Sequence, residues 1–255
     1  MSTYAIGDIH GCRKELSTLL ETLYIKENLH PEDDTLVFVG DYVDRGPDSK
    51  GVIDRLIELS QIQRCVFLMG NHEDMMLWWL GIDHGRQQVS LRERAGIAGI
   101  WICNGGSRTL ESYGVDLSMH SESRANLSGW DDPDIILQAI PENHIEFLKG
   151  LQYYYIDSSN LYVHAGVSYN GLLADTPQEA VDKSSDENLL WDRLAFGGRN
   201  SFGTMIYGHT PNKEGVRWNR REEGPPFSVG TDVGCVFGYN PLMAVRIDDW
   251  AEIWT

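Results

Sequence analysis

Five short apolar runs in this chain each lead into a glycine-bearing turn that also carries a side chain able to hold a cation. Tyr4-Ala5-Ile6 runs into Gly7-Asp8-Ile9-His10-Gly11, and Leu36-Val37-Phe38-Val39 into Gly40-Asp41-Tyr42-Val43-Asp44-Arg45-Gly46. Cys65-Val66-Phe67-Leu68-Met69 runs into Gly70-Asn71-His72-Glu73. Leu161-Tyr162-Val163 precedes His164-Ala165-Gly166, and Thr204-Met205-Ile206-Tyr207 precedes Gly208-His209-Thr210. Runs this short, rich in β-branched and aromatic residues, predict buried strands. Within Cys12 to Ile25, Leu16, Leu19, Leu20 and Leu23 fall at i, i+3, i+4 and i+7, the spacing of a helix with one apolar stripe. Val52, Ile53, Leu56 and Ile57 repeat the pattern within Gly51 to Leu59. Strands alternating with helices predict an α/β layered fold. Ligands of such folds gather beyond the carboxyl ends of the strands, where all five polar clusters stand.

The chain of 255 residues has no internal repeat, low-complexity tract or long linker, and is expected to form one domain over residues 1–255. Two polar stretches, Ser118 to Asp134 and Asn219 to Pro226, read as surface loops. With 38 Asp and Glu against 21 Lys and Arg the formal charge is −17, which argues against a nucleic-acid partner, since phosphate backbones are bound through clustered cations. A small phosphate substrate remains compatible, because a few cations dominate a local site. The most apolar run, Met75 to Ile82, is far short of the ~20 residues of a membrane span. The four scattered cysteines form no zinc-ribbon spacing, and no signal peptide is visible. A cytoplasmic protein without a membrane partner is the expectation; its oligomeric state is not legible.

Asp8, His10, Asp41, Asn71, His164 and His209 are oxygen and imidazole donors with no thiolate among them, a set suited to Mn, Fe or Zn. Asp8 and His10, two apart on an extended segment, leave the same face. Six donors are too many for one tetrahedral ion but suit two metals sharing a carboxylate. Such ions, ~3.5–4 Å apart, clamp both the attacking and leaving oxygens of a phosphoryl displacement.

GDIHG (7–11), GDYVDRG (40–46), GNHE (70–73), HAG (164–166) and GHT (208–210) resemble the phosphoprotein-phosphatase family of calcineurin-like metallophosphoesterases, which includes the phage-lambda and bacterial serine/threonine phosphatases. NGGSRTL (104–110) and Ile140-Pro141 resemble its small bacterial members. The resemblance implies a β-sandwich of mixed sheets flanked by helices, and two divalent ions, foremost Mn with Fe or Zn as alternatives. It assigns Asp8 and His10 to the first metal, Asp41 to the bridge, and Asn71, His164 and His209 to the second, with a hydroxide shared between the metals as nucleophile. It implies that His72 is the general acid, that Asp44 orients its imidazole, and that Arg45 and Asn71 touch the substrate phosphate. LLWDR (189–193) nominates Arg193 as the second phosphate arginine, with Arg199 as runner-up. Asp232 in GTDVGC (230–235) resembles a segment at the rim of the family's site and receives no role. Trp78, Trp79 and Trp101 read as core residues rather than as the lining of a substrate groove.

The expected activity is that of a phosphomonoesterase acting on phosphoserine and phosphothreonine and, less selectively, phosphotyrosine, with a phosphorylated protein or small phosphoester as partner. The alternative is a symmetrical dinucleoside-tetraphosphate hydrolase, which cleaves a phosphoanhydride. The resemblance implies Ala at position 44 and Asp at position 73 in those hydrolases, so Asp44 and Glu73 favour the monoesterase. A catalytically silent metal-binding module has no support, since every catalytic group is present. No cysteine is followed six residues later by arginine, which excludes the cysteine-based phosphatases, and no P-loop is present.

Overall fold

The structure is a computed structural model that describes residues 1–85, 99–115, 133–193 and 198–255. Ten strands form two five-stranded mixed sheets among the described residues. In the first, β1 (Thr3–Ile6), β2 (Thr35–Phe38) and β3 (Arg64–Phe67) run parallel. The last two strands, β9 (Met243–Arg246) and β10 (Ala251–Trp254), join antiparallel on the β1 edge, giving the order β10-β9-β1-β2-β3. The second sheet has the order β4-β5-β6-β8-β7, built from Tyr154–Asp157, Asn160–Val163, Thr204–Tyr207, Ser228–Gly230 and Arg217–Asn219. Within it β5, β6 and β8 are parallel, and β4 and β7 pair antiparallel at the edges.

The period-2 alternation of the strands builds the layers. Ala5, Val37, Tyr162, Ile206, Val229 and Val245 point inward and form the seam between the sheets. Their neighbours Tyr4, Ile6, Leu36 and Phe38 point the other way, onto a helical layer. That layer starts with α1 (Arg13–Ile25) and α2 (Ser49–Ser60), whose predicted leucine and valine stripes are buried. On the far side Leu161, Val163, Met205 and Tyr207 pack under the short helices Pro177–Asp182 and Asp186–Trp191. Two mixed sheets flanked by helices are the architecture that the resemblance implied.

The run Met75 to Ile82 falls mostly in α3 (Asn71–Leu80), a helix buried almost throughout. No helix among the described residues is long and apolar enough to cross a membrane. The polar stretch 118–134 lies outside the described residues except for its last two, which open the helix Pro133–Ala139. Asn219 ends β7, and the rest of its stretch connects β7 to β8.

Phe38 is wholly buried and stacks on Phe67 with ring centroids 5.2 Å apart. Phe38→Ala is expected to lower the unfolding free energy by about 3–5 kcal/mol, the usual cost of an aromatic cavity. Chemical denaturation checks this; a loss below ~1 kcal/mol would show that the site collapses around the missing ring.

Candidate metal centre

The five turns after β1, β2, β3, β5 and β6 meet at one end of the sandwich, because parallel strands carry their carboxyl ends to the same edge. Asp8, His10, Asp41, Asn71, His164 and His209 are all at most 5% exposed there. The backbone that presents them is strained. His10, Asp41, Asp44, Arg45 and His209 all adopt positive φ, five of the eight described non-glycine residues that do so. Two glycines make the close approach feasible. A Cβ at Gly70 would stand 2.2 Å from Asp41 Oδ1, and one at Gly208 would stand 2.1 Å from Asp8 Oδ1.

Glu73, third residue of α3, holds the turn that carries Asp41. Its Oε2 accepts N–H bonds from Asp41 (2.9 Å) and Gly70 (3.1 Å). Its Oε1 accepts from Tyr42 (2.8 Å) and Val43 (3.0 Å). Burial, and then the Asp41 charge, push the Glu73 carboxyl upward, while the backbone donors favour its ionised form.

Asp41 divides the site. Its Oδ2 lies 3.3 Å from His10 Nε2 and 3.9 Å from His72 Nε2, while its Oδ1 lies 3.3 Å from His164 Nε2. Two sets of ligand atoms result, His10-Asp41-His72 and Asp41-His164-His209, each within 4.8 Å. Burial alone would raise Asp41, but its interactions with His164, His72, His10 and Arg45 outweigh it and hold the carboxyl well below its usual range.

The donor chemistry fits cations. His10 Nδ1 donates to Val43 O (2.8 Å) and His164 Nδ1 donates to Val39 O (2.9 Å), so each Nε2 turns a lone pair toward Asp41. Burial pushes both imidazoles below their usual range, which keeps those lone pairs free of protons. His164 Nε2 also faces Asn71 Oδ1 at 3.0 Å. Lone pairs that converge in a buried space repel one another unless a cation stands among them. His209 turns its Nδ1 to Asn71 Oδ1 at 3.0 Å, and burial, followed by His164, pushes it down to about 3.

Asp8 lies outside both convergent sets. Its two oxygens accept the His209 backbone N–H at 3.1 and 3.0 Å, and its side chain is hydrogen-bonded to that of Asp232. Burial, then the Asp232 and Asp41 charges, push Asp8 well above the usual carboxylate range. Asp232 is raised to about 6, with burial foremost. The reason is electrostatic: two buried carboxylates side by side share a proton and take the nearest N–H. Sequence reading gave Asp232 no role, although its turn after β8 has the same glycine-and-donor pattern as the other five.

His72 Nδ1 donates to Asp44 Oδ2 at 2.6 Å. Burial would lower His72, but the Asp41 charge and the Asp44 hydrogen bond outweigh it, so the net displacement is upward. Asp44 is itself caged: Trp101 Nε1 donates to its Oδ2 (2.8 Å) and Thr109 Oγ1 to its Oδ1 (2.6 Å). Gly105 O accepts the Arg45 N–H at 3.3 Å. NGGSRTL thus clamps the pair Asp44-Arg45, a role its sequence did not disclose. Trp79 and Trp101 are core residues, 3% and 0% exposed, with rings 5.1 Å apart, and Trp78 is half-buried.

The two arginine nominees separate. Arg193 Nε donates to His209 Nε2 at 3.3 Å, which places it at the site's rim. Arg199 stacks its guanidinium over Phe227, 5.9 Å from the centroid. Arg45 Nη1 donates to His10 Nε2 at 2.5 Å.

Two mixed sheets presenting buried imidazole and carboxylate donors around a shared aspartate define a metal-dependent phosphoesterase. A sequence model of the calcineurin-like phosphoesterases matches residues 1–225, and the chain belongs to that family, whose members work through a dinuclear divalent metal site. The chain is 30% identical to the asymmetrical bis(5'-nucleosyl)-tetraphosphatase PrpE of Anoxybacillus flavithermus, covering 97% of this chain and 91% of that protein. It is 28% identical to the symmetrical bis(5'-nucleosyl)-tetraphosphatase of Paracidovorax citrulli, over 96% and 92%. A crystal structure provisionally assigned to a diadenosine tetraphosphatase shares the fold at a TM-score of 0.57 and 23% identity, covering 100% of this chain and 92% of the other.

These relatives overturn the expected phosphoserine/phosphothreonine monoesterase and its phosphoprotein partner. The two residues that favoured it, Asp44 and Glu73, are each 0% exposed and spend their oxygens on His72, Trp101, Thr109 and backbone amides.

Replacing Glu73 with Gln puts an amide NH2 against two backbone donors. At about 1–3 kcal/mol for each buried donor left unpaired, the expected loss of unfolding free energy is roughly 2–6 kcal/mol. Thermal and chemical unfolding of the metal-stripped protein check this, and an unchanged stability would show that the turn holds without the carboxylate. Asp41→Asn is expected to reduce bound divalent metal from two ions per chain to one or none, as read by elemental analysis after dialysis.

Proposed function

We propose that the protein hydrolyses a phosphoanhydride of dinucleoside tetraphosphates, the substrate class for which its full-length relatives are named. The observation that carries the chemistry is the split of Asp41, one oxygen toward His10 and His72 and the other toward His164. The substrate class is supported by the relatives that the chain matches over nearly its whole length.

Asp41, His10, His164, His209 and Asn71 would hold two divalent ions, with Asp8 released from Asp232 to complete the first. Mn is the ion to try first, with Fe or Zn as alternatives. When bound, the pair supplies Lewis-acid charge that activates a water and neutralises the transferring phosphoryl group. The remaining work falls to the chain. Arg45 and Arg193 offer fixed guanidinium forks to the non-reacting phosphate oxygens. His72, oriented through Nδ1 by Asp44, turns Nε2 into the site and donates a proton to the leaving nucleotide.

A terminal phosphate leaves more easily than an alkoxide, since its second pKa is about 6. The His72→Asn variant should therefore lose less than the usual 10²–10⁴ of general acid catalysis on the dinucleotide, and more on an alkyl phosphate. Equal losses on both would count against His72 as the acid.

Chelator-stripped protein, assayed with and without added Mn, tests the whole reading on diadenosine tetraphosphate. Metal-restored cleavage is expected, and chromatography separates central cleavage (ADP alone) from off-centre cleavage (AMP with ATP). Absence of any cleavage in the metal-loaded protein would sink the proposal.

A further inference from the structure

Beyond β8 the chain first buries Thr231, Asp232 and Val233, then packs Cys235 and Val236 against the helix-side core. The next aromatic residues do the opposite. Phe237 and Tyr239 are 46% and 52% exposed, with ring centroids 5.5 Å apart and planes 32° from parallel. Gly238 between them adopts φ 68°, which turns the chain so that both rings emerge side by side.

This pair is held firmly. Phe237 N–H and Tyr239 N–H both donate to Gly234 O, at 3.0 and 3.2 Å. Asn240 Nδ2 donates to Val233 O at 3.1 Å and to Lys213 O at 3.2 Å. Two large apolar rings left in solvent on a fixed turn hydrate poorly and gain from a flat partner. Their location says which kind. Arg45 sets its guanidinium over Phe237, 5.5 Å from the centroid, and the same guanidinium bonds His10. One arginine thus separates the donor cluster from the aromatic turn.

We infer that Phe237 and Tyr239 form a shelf for one nucleobase of the substrate, beside the phosphate grip of Arg45. The inference rests on the dinucleotide reading above and assigns a base subsite within it. A ligand recognised there has an anionic phosphate and, one sugar away, a flat π-face, which is the chemistry of a nucleotide. Arg45 suits the junction, since its edge bonds phosphate oxygens while its face lies on an aromatic ring. Inorganic polyphosphate would engage Arg45 and leave the rings bare.

The test compares diadenosine tetraphosphate with inorganic tripolyphosphate, a phosphoanhydride without a base, on the metal-loaded protein. Stacking on an aromatic ring is worth ~1–3 kcal/mol per base, so Phe237→Ala and Tyr239→Ala should each lower the ratio of the two kcat/KM values on the order of tenfold. The loss should fall in KM for the dinucleotide, and Phe237→Trp should restore it. Both rings lie largely outside the core, so the variants should fold. Equal losses on both substrates would mean that the ring serves only to position Arg45, and would overturn the shelf, as would an unchanged ratio. Failure of the unaltered protein to cleave the dinucleotide would overturn the substrate reading and the shelf with it, whereas cleavage with an unchanged ratio overturns the shelf alone.

Discussion

The Glu73 carboxylate is the fixed point of the site. It is 0% exposed and accepts N–H bonds from Asp41, Tyr42, Val43 and Gly70, so it joins the turn after β2 to the start of α3. A strand-end turn has no ladder to satisfy its amides, and in the interior each unpaired one costs about 1–3 kcal/mol. One carboxyl side chain answers four of them. The bonds fix the Asp41 backbone, and with it the direction in which the two carboxylate oxygens point. Both donor clusters depend on that direction.

Other constraints follow from the crowding this creates. Asp41, His10, His209, Asp44 and Arg45 sit in the left-handed region, at about 1–3 kcal/mol each for non-glycine residues. Asp and His tolerate that region better than most side chains, and four of the five are Asp or His. The surroundings offset the strain with short polar contacts: the Trp101-Thr109 cage around Asp44, the Gly105 carbonyl under the Arg45 amide, and the Val39 and Val43 carbonyls behind the imidazoles. Such an arrangement selects for a bound cation. The imidazoles are kept neutral by burial, their second nitrogens are committed to backbone, and the one strongly acidic carboxylate stands between them.

Much of this was legible in sequence because strand, turn and donor are contiguous in the chain. Each apolar run is a strand of the structure, and Leu16, Leu19, Leu20 and Leu23 line the buried face of α1 as their spacing requires. The closing strands β9 and β10 were not legible. They are four residues each and carry no donor turn; β9 pairs with β1 across more than 200 residues, and β10 pairs only with β9. Nor was Asp232, whose partner Asp8 lies over 200 residues away. A carboxyl pair announces itself only when the fold brings its members together. The NGGSRTL segment was visible as a motif but mute about its task, since Gly105 and Thr109 act on Asp44 and Arg45 through space.

The misreading of the substrate has a physical origin. Asp44 and Glu73 read as substrate determinants because the resemblance implies Ala and Asp at those positions in the dinucleotide hydrolases. Both prove to be internal struts, one orienting an imidazole and the other holding a turn, and a strut is compatible with any phosphoryl donor that the ions accept. Discrimination between a phosphoester and a dinucleotide has to lie where the two ligands differ, one sugar and one base away from the reacting phosphorus. The shelf proposed for that base is exposed and aromatic rather than buried and polar. Motif strength therefore measures how demanding the metal site is to build, and the proposed base shelf, Phe237 and Tyr239, stands outside the five motifs.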